Sequence, residues 1–150
     1  MNVIVVGGIL EKEGKYLLVK ENKGRWKGTW NIPAGRLEDH ESITEGACRE
    51  VFEETGCIAE TVGIVDILNR IYNDMNIISF LFDMKLKEED IQFDDKEIAE
   101  VNWFTYDEIV AMKDQLRAAG YFIDSIKKKE DNKILSLNIV TMNRYPMNNK

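Results

Sequence analysis

Ser42-Ile43-Thr44-Glu45 constrains this chain more than any other four residues. A serine hydroxyl that takes the backbone N–H three residues on, and a glutamate there that reaches back to the serine N–H, form a reciprocal cap that starts a helix. From that start Ile43, Ala47 and Val51, flanked by Cys48 and Phe52, recur at helical spacing, and Gly56 after Thr55 supplies the left-handed position that closes a helix. The spacing predicts a helix over 43–55. Its other face is costly: at about 100° per residue, Glu50, Glu53 and Glu54 share one arc. They sit in the C-terminal half, where mutual repulsion and the helix dipole both disfavour anions.

Clustered carboxylates with room for water suit Mg²⁺, with Mn²⁺ as a substitute, because a hard cation keeps several waters and recruits substrate phosphates as further ligands. A solvated charged face is the competing reading for a bare E-x-x-E-E triplet.

The rest of the chain reads as an α/β protein of the mixed α+β kind. Residues 3–10 and 15–20 are expected to form a hairpin around Glu11-Lys12-Glu13-Gly14. A glycine-containing loop over 22–28 leads to the short segment Thr29-Trp30-Asn31-Ile32, which Pro33 ends. Runs at 61–71 and 76–87 predict two longer strands, and 100–104 a short one. Ile109, Val110, Met112, Leu116, Ala119 and Phe122 predict a second helix over 106–127, followed by a charged turn at 128–132 and a last strand over 134–142. Residues 146–150 read as a frayed end. A chain of 150 residues that is 44% hydrophobic is expected to be one domain spanning 1–150, with 128–150 as a C-terminal extension of unassigned role.

Composition excludes some functions. A net charge of −7 gives no basic stripe for long nucleic acid. The apolar run at the N-terminus is too short to span a bilayer and lacks a basic leader, and Cys48 and Cys57 suggest neither a zinc site nor a disulfide. No membrane association and a reducing, cytoplasmic setting are expected.

With Gly35, Glu41, Arg49-Glu50-Val51-Phe52-Glu53-Glu54-Thr55-Gly56-Cys57 in view, the sequence resembles the Nudix hydrolase family, the MutT-like pyrophosphohydrolases. The family signature is G, five residues, E, seven residues, then R-E-U-x-E-E-x-G-U, where U is a bulky aliphatic residue. Only Cys57, in the last aliphatic slot, departs from it. The likeness covers roughly residues 1–125 and implies an α/β/α sandwich with a mixed sheet.

The resemblance also implies a reaction: Mg²⁺-dependent hydrolysis of a nucleoside diphosphate linked to another moiety, by water attack on phosphorus. The substrate would be a nucleoside triphosphate, an oxidised nucleotide, ADP-ribose or a nucleotide sugar. A non-hydrolytic nucleotide-binding regulator and an mRNA-cap hydrolase are the alternatives.

On this reading Glu50 and Glu54 are metal ligands, with Glu53 beside them as ligand or general base. The residues do not decide which glutamate is the base. Arg49 holds Glu53 by i, i+4 pairing and belongs with Glu50 and Glu53 to the catalytic set. Glu41 and Gly56 are structural residues of the motif, and Gly35 permits the turn that brings the Ala34 carbonyl to the metal. Glu97 is a candidate further ligand from a late loop.

For the substrate, Arg25, Lys27 and Arg36 are candidate phosphate contacts, and Trp30 and Phe80, with Trp26 and Phe82, candidate stacking rings. Gly46 reads as a tolerated imperfection inside the helix, and His40 as a solvated loop residue. Homodimers are common in the family, although no apolar patch legible in the sequence establishes one here.

Overall fold

Strand β1 (Asn2–Lys12) is the hub around which the other strands are laid. It runs parallel to β6 (Met75–Glu88) from Asn2↔Asn76 to Leu10↔Met84, and antiparallel to β4 (Ala34–Arg36) through Val5↔Arg36, Val6↔Gly35 and Gly7↔Ala34. At its end it turns into β2 (Lys15–Glu21). These relations come from a computed structural model that describes residues 1–145; the expected frayed end at 146–150 lies outside the described residues.

The hairpin loop is tighter than the sequence suggested. Lys12 pairs with Lys15, leaving only Glu13 (φ 52°) and Gly14 (φ 76°), the pair of left-handed residues whose twist matches two antiparallel strands. β2 then carries β3 (Trp30–Asn31) and β7 (Ile98–Thr105), while β5 (Ile58–Tyr72) pairs along β6 across the Asn73-Asp74 turn. Both long strands extend a few residues beyond the expected 61–71 and 76–87.

Alternation along β1 sorts the core. Val6 and Leu10 face helix α1 (Ile43–Thr55), packing with Ala47, Val51, Phe82 and Met84. Ile9, with partly buried Val5, faces the other way, into a cluster with Trp30, Leu81, Ile109, Leu116, Phe122 and Ile126. The second layer belongs to α2 (Tyr106–Ala111) and α3 (Ile123–Glu130). A mixed sheet between two helical layers is the α+β sandwich expected.

The predicted helix over 106–127 is broken. After α2 the chain makes 3-10 turns at Lys113–Gln115 and Arg117–Ala119, and Ala118, Ala119 and Gly120 all take positive φ (48°, 55° and 73°). Leu116 between the turns is extended and bridges to Trp30. Apolar spacing registered Leu116 and Phe122 correctly as buried residues, but two helical pieces and a kink deliver them as well as one helix does. The strand over 134–142 also shrinks: only β8 (Leu135–Ser136) pairs, with Gly63 and Ile64 of β5, before a 3-10 turn at Leu137–Ile139.

Candidate active site

The cap read from the sequence is present. Ser42 Oγ accepts the Glu45 N–H at 3.2 Å, Glu45 Oε2 accepts the Ser42 N–H at 2.7 Å, and Gly56 (φ 79°) donates its N–H to Phe52 O at 2.8 Å. With both ends fixed and Ala47 and Val51 fully buried, the rotation of α1 is set: Glu50 and Glu54 are left against β4, and Glu53 is exposed next to them.

Arg49 organises that face. Its Nε donates to Glu41 Oε2 at 2.9 Å and its Nη2 to Glu41 Oε1 at 2.6 Å, a two-pronged pair. Nη1 donates to Glu50 Oε1 at 2.8 Å and to Glu53 Oε2 at 3.2 Å, and Nη2 also reaches the Arg36 carbonyl at 3.0 Å. The expected Arg49–Glu53 contact is therefore the longest of the hydrogen bonds Arg49 makes to carboxylates, with Glu38 further off at 3.6 Å. Glu41 is the main partner, and the sequence concealed this because Glu41 lies in the preceding loop.

Two glycines fit this constellation by size. Gly35 does not adopt a positive φ: its missing Cβ leaves space that the Glu50 carboxylate occupies. Gly46 is no tolerated imperfection, since a Cβ there would stand 2.8 Å from Glu41 Oε1 and 2.9 Å from Leu37 Cδ1.

Glu54 turns to β4, where Oε2 accepts the Ala34 N–H at 3.3 Å. The register makes Gly7↔Ala34 a pair whose N–H and C=O groups point away from one another's strand, so the Ala34 carbonyl faces the same side as that N–H. Burial pushes the Glu54 carboxyl well above the usual range, and the neighbouring Glu50 charge adds to the shift. Burial raises Glu50 too, while Arg49 works against it.

Among the described residues, no three acidic, histidine or cysteine side chains converge in a metal-holding group: Arg49 draws Glu50 and Glu53 to itself, and Glu54 leans on Ala34. The donors are nevertheless of the right kind. Closely spaced carboxylate oxygens, those of Glu50 and Glu54 largely withdrawn from water, suit a hard divalent ion. Glu97 is ion-paired with Lys23, whose ammonium also lies within reach of the Glu54 and Glu21 charges, and its carbonyl accepts the Asn22 N–H at 2.9 Å.

A cavity of about 230 Å³ opens beside Ala34 and Gly35, bordered by Arg25, Trp26, Arg36, Arg70, Arg117 and Tyr121 among others. Arg25 and Arg36, candidate phosphate contacts in the sequence, both border it. Lys27 is exposed and does not border the cavity. Trp30, 5% exposed, is a core residue set edge-on against Phe104 at 4.9 Å. Phe80 and Phe82 face the α1 side of the sheet, because strand alternation puts them opposite the cavity-facing residues of β6.

Glu21, Asn31, Arg70, Arg117 and Tyr121 were not foreseen. Glu21 is 9% exposed; it accepts from Arg117 at 2.8 Å and from Asn31 Nδ2 at 3.3 Å, and Asn31 in turn accepts the Tyr121 hydroxyl at 3.1 Å. These residues come from β2, β3, β5 and the kinked 117–121 segment, and no local pattern joins them.

A capped acidic helix packed on a mixed sheet, its carboxylates against the short strand β4 whose Ala34 and Arg36 border a cavity with three further arginines, defines the frame of a phosphoanhydride hydrolase. A family model describing a NUDIX domain matches residues 1–125. Phosphatase NudJ of Escherichia coli strain K12 is 34% identical over 109 residues, 71% of each chain. Nudix hydrolase 5 of Arabidopsis thaliana is 34% identical over 107 residues, 68% of this chain but 35% of its own length, so the chain spans about a third of that relative. A NUDIX hydrolase structure from Nitrosomonas europaea superposes with a TM-score of 0.86 at 29% identity, covering 95% of this chain and 98% of its own. The chain belongs to the Nudix hydrolase family.

Proposed function

We propose that the protein is a divalent-metal-dependent pyrophosphohydrolase that cleaves a nucleoside diphosphate linked to another moiety. The observation that carries this reading is the Arg49-centred set of Glu41, Glu50 and Glu53, with Glu54 turned to Ala34 at the mouth of a cavity bordered by arginines. The activity for which a relative, phosphatase NudJ of Escherichia coli, is named agrees with it.

Glu50, Glu53 and Glu54, with the Ala34 carbonyl, would hold Mg²⁺ or Mn²⁺. The bound ion would neutralise the diphosphate charge and lower the pKa of the attacking water. Every other part of the chemistry belongs to the chain. Arg49 fixes the Glu50 rotamer and keeps repulsion on the helix face low enough for three anions to coexist. Glu53, 55% exposed and joined to Arg49 by one contact, is the carboxylate best placed to take the proton of the attacking water. Arg36 and Arg25 meet the substrate's phosphates at the cavity mouth, and Trp26 gives a ring face.

The substrate is a small nucleotide, and the place of work is the cytoplasm. The reading is tested with a panel of ADP-ribose, nucleotide sugars and ordinary and oxidised nucleoside triphosphates, with Mg²⁺ or Mn²⁺ in millimolar excess. Released phosphate, read directly or after phosphatase treatment, is expected for at least one class and absent with chelator. No turnover of any compound with either ion would overturn it.

A further inference from the structure

Four arginines, Arg25, Arg36, Arg70 and Arg117, border one cavity in a chain of net charge −7, and their charges are answered unequally. Arg117 is paired with Glu21 at 2.8 Å. Arg25 and Arg36 are exposed and keep their water. Arg70 is half-buried, and among the described residues only neutral groups meet it. Its guanidinium carbon lies 3.9 Å from the Tyr121 ring centroid, Nη2 donates to Ser79 Oγ at 3.1 Å, and Nε is buried with no acceptor.

A guanidinium partly withdrawn from water and met, among the described residues, by a ring face and one hydroxyl is costly to keep. An anion settling against it recovers that cost through charge-assisted hydrogen bonds. The strand registers say where that anion would sit. Arg70 stands opposite Ile77, and Ile77 opposite Val3; in the adjacent row Ser79 stands opposite Val5, and Val5 opposite Arg36. Arg70 and Arg36 therefore occupy one sheet face with β6 and β1 between them, about 14 Å of sheet at about 4.8 Å per strand.

The acidic helix lies at the Arg36 end, where Arg49 bonds the Arg36 carbonyl and Glu54 the Ala34 N–H. Arg70 is at the other end, beyond an apolar floor of Val3, Val5 and Ile77. The cavity's volume of about 230 Å³ is below the roughly 300 Å³ at which whole-ligand pockets begin, so it admits one end of a substrate.

We propose that Arg70 makes the protein selective for substrates whose group seated in this cavity, away from the scissile anhydride, carries an anion of its own, a carboxylate or a phosphate monoester. The inference takes its reaction from the hydrolase reading above, but its binding preference stands without that reaction.

Two substrate pairs test it. UDP-glucose and UDP-glucuronate differ by a carboxylate, and ADP-ribose and its 2′-phosphate by a phosphate monoester. The charged member of at least one pair is expected to have a kcat/KM at least about tenfold higher, carried by KM. Arg70→Gln is expected to bring that ratio to about one, and Arg70→Lys to keep part of it. A ratio of about one in both pairs for the wild type overturns the proposal, as does an unchanged ratio in a folded Arg70→Gln protein. Titration calorimetry of the same pairs without metal separates the two readings: a charge preference abolished by Arg70→Gln with no turnover sustains selectivity and removes the hydrolase reading. Turnover with no preference does the reverse.

Discussion

Arg49 closes on Glu41 with two parallel hydrogen bonds, 2.9 Å from Nε and 2.6 Å from Nη2, and so ties the middle of α1 to the loop that precedes it. Those bonds, aided by the Glu38 N–H, hold the Glu41 carboxyl below its ordinary value of 4.5 against the opposing effect of burial. A carboxyl whose folded value is depressed stabilises fully above its unfolded value, and that contribution is lost as pH falls through the folded one. Arg49→Ala is expected to cost about 2 kcal/mol near neutral pH. It should also flatten the decline in stability below pH 4.5, read from urea midpoints taken down to about pH 3.

Removing the Glu54 charge should separate stability from activity. Its carboxyl is desolvated and beside Glu50, so without metal its ionisation opposes folding. Glu54→Gln is expected to raise the melting temperature measured in chelator at neutral pH, and to lower turnover in Mg²⁺ by roughly a hundredfold or more. A variant less stable than wild type in chelator would contradict the electrostatic account of this face.

Space, rather than backbone conformation, explains Gly35. An alanine Cβ would fall on the Glu50 carboxylate, so Gly35→Ala is expected to fold, with a melting temperature within a few degrees of wild type, while turnover drops at least about tenfold through displaced Glu50. Thermal denaturation and steady-state kinetics on one preparation decide it.

Gly46→Ala tests the opposite side of the same helix. In an exposed helix interior this change gains about 1 kcal/mol. Here the added methyl would meet Glu41 Oε1, which Arg49 holds fast, and Val6 Cγ2 at 3.0 Å. No gain is expected, and a denaturant midpoint raised by the full propensity difference would show that Glu41 yields more easily than its bonds suggest.

Thr55 fills a variable slot of the signature yet is wholly buried. Its hydroxyl donates to Val51 O at 2.6 Å and accepts the Cys57 N–H at 3.0 Å. Thr55→Val keeps the shape and strands that N–H, and is expected to destabilise by about 1–2 kcal/mol, measured by chemical denaturation.

The acidic helix was legible because its determinants are local: a cap four residues long, a glycine stop and a 3.6-residue apolar rhythm. The cavity was not, because its walls are assembled from segments near 25, 36, 70, 117 and 121, and the register that brings Arg70 opposite Ile77 is decided by long-range pairing. The kink at 118–120 escaped for a related reason. Ala118 and Ala119 carry no turn signature, and their left-handed backbone is imposed by the burial of Leu116 and Phe122 on either side. Trp30 and Phe80 misled because an aromatic in a strand looks the same from the sequence whichever face it takes.

Strand β4 is three residues long, with Gly35 giving way to Glu50 and the neighbouring Ala34 packed into the opposite core. The partition between the cutting machinery and the chamber that admits the substrate is thus one peptide thick. The far walls of the chamber hang from other strands and a kinked connector, so they are free to diverge without disturbing that partition. Descendants of such a scaffold can change their diet while keeping their teeth.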